Sequence, residues 1–511
     1  MEGTRPAAAA TSTAHSNSLH GSYCRSSVFE EAYDLTVIAC ATHFLGRMRL
    51  EARKVVENES EDTKERITDN KPASQATASA FPKPVAESVL EVPIAPCDIA
   101  NAIDSRGEGA ISFLDDKADF DRERWSSVNK EMLGVRHTNN SSHIRSSLRT
   151  SLSDGHHSDS PQTWRIVEYD DERSEEELVY AIYVDDVKRR VVVSFRASVT
   201  LEDWKANMNW LYGVKKNPVA GTDLDCGRYQ LPKKMVMHRG FRNYLFQKEG
   251  DKVDEEEDEE YDEDESFSFA ERPDKVRKIY SILENAAKVL RDNPSYRLYT
   301  SGYSLGAGLA TIFSLYAAAA SDNDIPKPVT CVTIGSPKCG TLSFRKSFET
   351  LEQAGKLRYL RIMNEHDPIK LAPFKPPNLE AALLPGVDYR HVGMALFLRE
   401  GGGFSFDYPR LTNHYFKICC DDLYKQTLNC ISLCIICFDQ LSGKQSPSQI
   451  GDHHGYAEYM HRLKMNRDKL RELDLDELYR TAWERRVPFH FLPCCFPPPD
   501  NKNGEMYLHY F

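Results

Sequence analysis

The pentapeptide Gly302-Tyr303-Ser304-Leu305-Gly306 has the GxSxG spacing that presents a nucleophilic serine on a sharp turn. Residues 296–300 before it are rich in β-forming side chains, and residues 305–320 after it have the alanine and leucine content of a buried helix. The flanking glycines leave room for the neighbouring strand and helix to approach the turn. Strand, turn and helix in this order predict that Ser304 is the nucleophile of an ester-cleaving serine hydrolase.

A nucleophilic serine needs a base and an acid that orients the base, and in α/β hydrolases the order along the chain is serine, acid, histidine. Two further apolar runs, 329–334 and 357–363, predict buried parallel strands with polar loops at their carboxyl ends. Asp367 follows the second run, and we predict it to be the acid. Glu365 and Asp388 are secondary candidates, and an ordinary Asp-Pro turn is the alternative interpretation.

The histidines downstream of this acid that could act as the base are His391, His414, His453, His454 and His461. We predict His454, because it opens a loop-to-helix stretch near the end of the domain, where an imidazole can reach over Ser304. The adjacent His453 is the nearest alternative. His391 is predicted to lie inside a strand, which favours a structural role.

Several motifs occur in one order along the chain: the strand 191–198, Asp203-Trp204, His238-Arg239-Gly240-Phe241, the elbow 302–306, Gly335-Ser336-Pro337, the acid loop 364–368, and His454 with Tyr459. In this order they resemble the FRGT, DW, HxGF, GHSLG, GxP and NxxDP signatures, and the late histidine followed five residues on by a tyrosine, of the fungal-lipase-like class 3 lipases, relatives of the diacylglycerol lipases. Roughly residues 164–463 carry the resemblance. It implies an α/β-hydrolase fold with a mostly parallel central sheet.

The chain departs from the family pattern at small positions near the predicted site. Ala197 and Ser198 stand where a glycine and a threonine are usual, and Tyr303 stands where the family has a histidine. The pair Ala307-Gly308 inverts a Gly-Ala pair. None of these changes removes a proton-transfer group.

The resemblance implies a mechanism in which Ser304 attacks an ester, His454 takes its proton and Asp367 stabilises the imidazolium. The backbone N–H groups of Leu305 and Ser198 would hold the oxyanion, and the Ser198 hydroxyl is a further candidate donor. The predicted function is lipase hydrolysis of mono-, di- or triacylglycerols at a membrane or lipid-droplet surface, with no cofactor and no metal. The alternatives are a phospholipase, galactolipase or carboxylesterase on the same fold, and a non-catalytic lipid-binding scaffold.

Residues 199–212 place apolar side chains at helical spacing: Leu201, Trp204, Met208 and Leu211. The resemblance implies that this segment is a lid that opens on lipid surfaces, with Trp204 and Leu211 on its apolar face. An ordinary amphipathic core helix is the alternative.

The 511 residues suffice for one catalytic domain of about 300 residues with appendages. We predict this domain over 161–470, followed by a C-terminal extension over 471–511. Residues 1–160 are polar, and we expect them to be largely disordered, ending in a serine-rich linker over 141–160. Apolar residues within 28–57 predict one helix there that docks on the domain, with docking on a membrane as the alternative.

Charge and cysteine usage bear on partners and compartment. Residues 249–265 carry 13 acids and one lysine, a net charge of −12. The whole chain has the same net charge. We predict a solvated, disordered insertion over 249–266, with a calcium- or partner-binding loop as the alternative. An acidic chain without a basic patch argues against nucleic acid as a partner.

The start of the chain shows no hydrophobic signal sequence, so we expect a cytoplasmic protein with free thiols. The Cys-rich insertion 417–440 contains Cys430, Cys434 and Cys437 in an apolar run that is too short to span a bilayer. We interpret this insertion as membrane-facing or acylated surface and expect peripheral contact with membranes.

Overall fold

The computed structural model describes residues 26–69, 90–92, 94, 164–174, 177–209, 211–226, 231–247, 277–321, 323–373, 389–407 and 453–484. The strands in these ranges are β1 Trp164–Asp170, β2 Tyr180–Asp185, β3 Arg190–Phe195, β4 Tyr212–Lys216, β5 Lys234–His238, β6 Arg297–Tyr303, β7 Val329–Ile334, β8 Leu357–Asn364, β9 Met394–Leu398 and β10 Phe404–Asp407. The α-helices there are α1 Val28–Asp69, α2 Leu201–Met208, α3 Arg239–Phe246, α4 Lys278–Asp292, α5 Leu305–Ala319, α6 Leu342–Gln353, α7 Tyr456–Met465, α8 Arg467–Arg471 and α9 Leu475–Glu484. Short 3-10 turns span Asp223–Cys226 and Pro368–Leu371.

One sheet contains eight of these strands in the order β1-β2-β3-β6-β7-β8-β9-β10, and β4 pairs with β5 as a separate ribbon. The strands from β3 to β9 in this order run parallel, and the flanking pairs are antiparallel. Every position of β2, β3, β7 and β8 is buried, because helices cover both faces of the sheet. The predicted α/β-hydrolase fold with a mostly parallel sheet is confirmed.

The helices form one apolar layer on each face of this sheet. Helices α3 to α6 pack on one face around buried side chains such as Phe241, Leu283, Phe313 and Phe348. Helices α1 and α7 to α9 pack on the other face around residues such as Leu35, Tyr459 and Leu470. The carboxyl ends of β3, β6, β7 and β8 therefore lie between two apolar layers, at the edge where parallel sheets place their chemistry.

Helix α1 covers the predicted docking segment 28–57 and continues to Asp69. The apolar residues that predicted it are all buried in the structure: Phe29, Ala32, Leu35, Ile38, Ala39 and Phe44. Side-chain hydrogen bonds tie it to the sheet; for example, Ser301 Oγ donates to the carbonyl of Leu35 at 2.9 Å and Thr42 Oγ1 donates to Ser194 Oγ at 2.8 Å. The helix docks on the sheet face below the predicted site.

Some expectations from the sequence lie outside the described residues. These are the linker 141–160, the acidic insertion 249–266, Asp388, His414, the Cys-rich insertion 417–440, most of 1–160 and the end of 471–511. In the part of the chain that the structure describes, Cys40, Cys331 and Cys339 are free and buried. Burial raises the pKa of Cys331 and Cys339 to about 12, so both are protonated thiols at neutral pH. None of the helices that could be searched combines the length and the apolar character needed to cross a bilayer.

Candidate active site

Ser304 lies on the turn between β6 and α5, with a φ of +56° and a ψ of −118°. This left-handed φ is rare for a residue with a Cβ and marks a strained turn held by its surroundings. A Cβ on Gly302 would lie 2.2 Å from the carbonyl oxygen of Gly306, and a Cβ on Gly306 would lie 2.2 Å from that of Phe195. Both glycines of the pentapeptide are therefore required by backbone contacts.

The structure brings Ser304, His454 and Asp367 together in one chain of hydrogen bonds. Nε2 of His454 lies 3.0 Å from Ser304 Oγ, and Nδ1 lies 2.8 Å from Asp367 Oδ2. These distances are within the range of a nucleophile, a base and an orienting acid. Gly335, at the end of β7, leaves room for the pair, because a Cβ there would lie 2.8 Å from His454 Cε1 and 3.1 Å from Asp367 Oδ2.

The Asp367 carboxylate is fully buried and held on several sides. Its Oδ1 accepts the N–H of Ile369 at 2.8 Å, which caps the 3-10 turn after β8. Its Oδ2 accepts from the Tyr459 hydroxyl as well as from His454. Burial, and next the negative Asp367, raise the pKa of Tyr459 well above its ordinary value, so this phenol remains a donor. A carboxylate held this way fixes the orientation of the His454 ring.

The neighbouring His453 is engaged elsewhere. Its Nδ1 accepts from the guanidinium of Arg462 at 3.1 Å, and Arg462 is itself buried. Since the guanidinium can only donate, Nδ1 of His453 carries no proton in this contact. Its backbone carbonyl accepts from Asn364 Nδ2 at 2.8 Å. The two adjacent histidines thus point to different partners, and only His454 contacts Ser304.

The prediction that His391 lies inside a strand is wrong. It precedes β9 in an irregular segment, where Gly393 has a positive φ of +67° that interrupts extended pairing. Nε2 of His391 hydrogen-bonds the carbonyl of Lys370 at 2.6 Å, and burial followed by the charge of Arg361 lowers its pKa well below the ordinary value. His461 lies on α7 and is partly buried.

The loop after β3 carries Ser198, the predicted oxyanion donor, and a buried carboxylate holds this loop. Asp203 Oδ2 accepts the backbone N–H groups of Val199 at 2.8 Å and Thr200 at 2.9 Å. The Thr200 hydroxyl in turn accepts the N–H of Asp203, which completes a capping box at the start of α2. Ser198 Oγ accepts from Asn207 Nδ2 at 2.7 Å. The other predicted donor, Leu305, begins α5, where helical N–H groups are unsatisfied and the helix dipole favours negative charge.

The predicted helix over 199–212 is shorter in the structure, ending at Met208 because Asn209 caps it. Leu211 lies beyond the helix and is 60% exposed, so it does not share an apolar face with Trp204, which is partly buried on α2. Close packing holds α2 in place, since a Cβ on Gly240 would lie 1.9 Å from the carbonyl oxygen of Ala206.

Sequence reasoning missed three side chains at this site. Arg196 pairs with Asp203, His43 on α1 lies near Tyr303, and the Tyr303 ring lies against His454. The signals available for them were weak. Arg196 follows a predicted strand, Tyr303 departs from the usual family residue, and His43 lies in a segment whose pattern indicated only a docking helix.

Residues 192–376, which include the elbow and Asp367, match the family model described as Lipase (class 3). Over these residues the sheet domain is similar to the class 3 lipases. The match ends before His454, so the similarity covers two members of the hydrogen-bonded chain and the geometry supplies the third.

Individual proteins show the extent of the likeness. Phospholipase A1-II 3 of Oryza sativa subsp. japonica is 26% identical over 26% of this chain and 30% of its own length. The chloroplastic phospholipase A1-Igamma1 of Arabidopsis thaliana is 25% identical over 41% of this chain and 38% of its own. The chain thus spans 30% to 38% of the length of these curated relatives. The solved structure of the Yarrowia lipolytica lipase LIP2 is 17% identical, covers 47% of this chain and 68% of its own, and superposes with a TM-score of 0.32.

Proposed function

We propose that this protein hydrolyses carboxylic esters of lipids through an acyl-enzyme formed on Ser304. The observation that carries the proposal is the hydrogen-bonded chain from Ser304 Oγ through His454 to Asp367, with the serine on a strained elbow. The class 3 lipase match supports lipid esters as the substrate class.

In this mechanism, Ser304 Oγ attacks the ester carbonyl while His454 Nε2 accepts the hydroxyl proton. Asp367 stabilises the imidazolium through Nδ1. The oxyanion is held by the backbone N–H groups of Leu305 and Ser198, each worth about 2.7 to 4 kcal/mol of barrier in comparable sites. Collapse of the intermediate expels the alcohol, which takes the proton from His454, and leaves the acyl chain on Ser304.

The second half of the reaction uses the same groups in reverse roles. Water loses a proton to His454 as it attacks the acyl-enzyme, and the same oxyanion donors hold the second tetrahedral intermediate. Expulsion of Ser304 Oγ, which regains the proton from His454, releases the fatty acid.

The proposed substrates are mono-, di- or triacylglycerols presented at a lipid surface, approached from the cytoplasm. Three neighbouring exposed side chains support contact with lipid: Met208, Leu211 and Tyr212, at 37%, 60% and 38% exposure. Met208 is the last residue of α2, and Leu211 and Tyr212 follow it closely along the chain. Asn207, next to Met208, donates to Ser198 Oγ at 2.7 Å, so this end of α2 lies near the loop that carries Ser198. The buried free thiols fit a reducing compartment.

Phospholipid esters are the second candidate, because two of the relatives are named as phospholipases A1. The test is a panel of acylglycerols, phospholipids and a short-chain soluble ester, each offered to wild type and to Ser304→Ala. We expect release of fatty acid from acylglycerols by wild type alone. Preferential release from the phospholipids would replace the acylglycerol assignment, and equal release by Ser304→Ala would remove the proposed nucleophile.

A further inference from the structure

Tyr303 precedes the nucleophile in the chain and contacts the base in two ways. Its hydroxyl donates to the backbone carbonyl of His454 at 2.6 Å. Its ring stacks on the His454 imidazole, with ring centroids 4.9 Å apart and an angle of 25° between the planes. Only 9% of Tyr303 is exposed. One side chain therefore touches both the main chain and the ring of the proposed base.

The backbone at the base is held by side chains from two strand ends. Asn364, the last residue of β8, donates to the carbonyl of His453 at 2.8 Å, and Tyr303, the last residue of β6, donates to that of His454. Tyr303 directly precedes Ser304, and Asn364 lies three residues before Asp367. The strand ends that place nucleophile and acid thus also place the base.

His43 on helix α1 packs against Tyr303 with an uncharged ring. The His43 ring approaches Tyr303 edge-on, with centroids 6.0 Å apart and an interplanar angle of 76°. Burial, followed by the nearby Arg47 and Arg196, lowers the pKa of His43 to about 3, so His43 is uncharged at neutral pH. The Tyr303 ring that stacks on His454 therefore has no positively charged His43 beside it.

We infer that Tyr303 is a positioning residue that ties the base to the nucleophile, a role that rests on the proposed function. Its hydroxyl fixes the main chain of His454, so the imidazole meets Ser304 Oγ at a hydrogen-bonding distance. Its ring holds the plane of the imidazole and lies over the cation that forms when His454 accepts the proton, which favours that cation. The hydroxyl contact is specific to tyrosine here, because the usual histidine of the family has no phenolic hydroxyl.

The test compares Tyr303→Phe and Tyr303→Leu with a matched control, Tyr316→Phe. Tyr316 is a buried tyrosine on α5 whose hydroxyl donates to the carbonyl of Lys216 at 3.3 Å, away from His454. For a soluble ester we expect kcat of Tyr303→Phe to fall roughly threefold to tenfold, the effect of one net hydrogen bond, with KM unchanged. Tyr303→Leu also lacks the ring and should fall by a further factor of about two to five. Fluorophosphonate labelling of Ser304 should slow by the same factors, and Tyr316→Phe should match wild type in both measurements.

A second measurement tests whether Tyr303 holds the backbone at His454, and it needs no substrate turnover. Hydrogen exchange of the amides of Glu458 and Tyr459, whose acceptor is the carbonyl of Gly455, reports opening of the first turn of α7. We expect faster exchange in Tyr303→Phe than in wild type and in Tyr316→Phe. Equal exchange in all three, or a change in KM alone, would overturn the role of Tyr303. Slower exchange in wild type than in Tyr303→Phe, with no ester hydrolysis and no reaction with fluorophosphonate by wild type, would instead remove the proposed function. The contact of Tyr303 with the His454 backbone would then still stand.

Discussion

The guanidinium of Arg196 lies 3.0 Å from the carboxylate of Asp203, and the two side chains are only 1% and 2% exposed. The same carboxylate oxygen accepts the N–H groups of Val199 and Thr200, on the loop that carries Ser198. The Arg196 side chain lies against Gly46 of α1, where a Cβ would come within 2.5 Å of Arg196 Cδ. A buried ion pair thus links α1, the oxyanion loop and α2.

Asp203→Asn should therefore impair both activity and stability. The amide keeps the shape of the carboxylate but leaves the buried Arg196 without its counter-charge, which typically costs about 3 to 5 kcal/mol. We expect kcat to fall about 10²-fold, at the lower end for loss of one oxyanion donor. Steady-state kinetics and thermal unfolding check this, with Glu202→Gln on the exposed side of the same helix as the control. An Asp203→Asn protein with the kcat of wild type would show that the pair does not hold the loop.

Replacing histidines one at a time should identify the base. His454→Ala should lose at least about 10³-fold in kcat, because the serine then lacks the group that takes its proton. His453→Ala and His391→Ala should retain most activity, since their rings contact Arg462 and the carbonyl of Lys370 instead. Kinetics on a soluble ester with folded variants decide the matter. A larger loss in His453→Ala than in His454→Ala would mean that the base is wrongly assigned.

The sequence was sufficient for features that depend on near neighbours. The elbow and the strands of 329–334 and 357–363 follow from local pattern, and the chain order of serine, acid and histidine follows from the rule for α/β hydrolases. The choice between His453 and His454 depends on Arg462 and Asp367, which meet them only in the folded chain. The end of α2 could not be predicted, because residues 199–212 continue an apolar helical spacing past Asn209, where the structure caps the helix. Asp203 lies within the predicted lid segment 199–212, whereas its burial beside Arg196 depends on β3 and α2 meeting in space.

Contact with lipid should raise the rate even though α2 is closely packed. Because Met208 and Leu211 are already exposed, the surface they form can meet lipid without first leaving protein contacts. We expect the rate on a short-chain ester to turn upward as its concentration passes the solubility limit, and the upturn to shrink in Met208→Ser with Leu211→Ser. Val187→Ser is the matched control, since Val187 is 65% exposed on the turn between β2 and β3. A smooth saturation curve in wild type would favour a soluble carboxylesterase.

Acid should destabilise the domain through His238, the N-cap of α3. Burial lowers the pKa of His238 from its ordinary value of 6.5 to about 3. Between these values the unfolded chain binds a proton at this histidine that the folded chain does not. The free energy of unfolding therefore loses nothing through His238 above pH 6.5 and falls as the pH drops towards 3. The slope for one such group is about 1.4 kcal/mol per pH unit.

Denaturant unfolding of wild type and His238→Asn between pH 4.5 and 7.5 measures this slope. Asparagine keeps an acceptor for the N–H of Phe241, which His238 Nδ1 now accepts at 3.4 Å. The free energy of unfolding of the variant should depend less on pH than that of wild type. Replacement of the exposed His366 serves as the control. Parallel slopes for wild type and His238→Asn would contradict a neutral, buried His238.

The most direct test of the account is fluorophosphonate labelling of the full chain, with the adduct located by peptide mass spectrometry. The serine must be activated by its neighbours to react, so labelling reports the complete Ser304–His454–Asp367 arrangement rather than the presence of a serine. We predict a single adduct on Ser304 in wild type, none in Ser304→Ala with its fold intact, and strongly slowed labelling in His454→Ala. An adduct on another serine, or none on folded wild type, would contradict the assignment of Ser304 as an activated nucleophile.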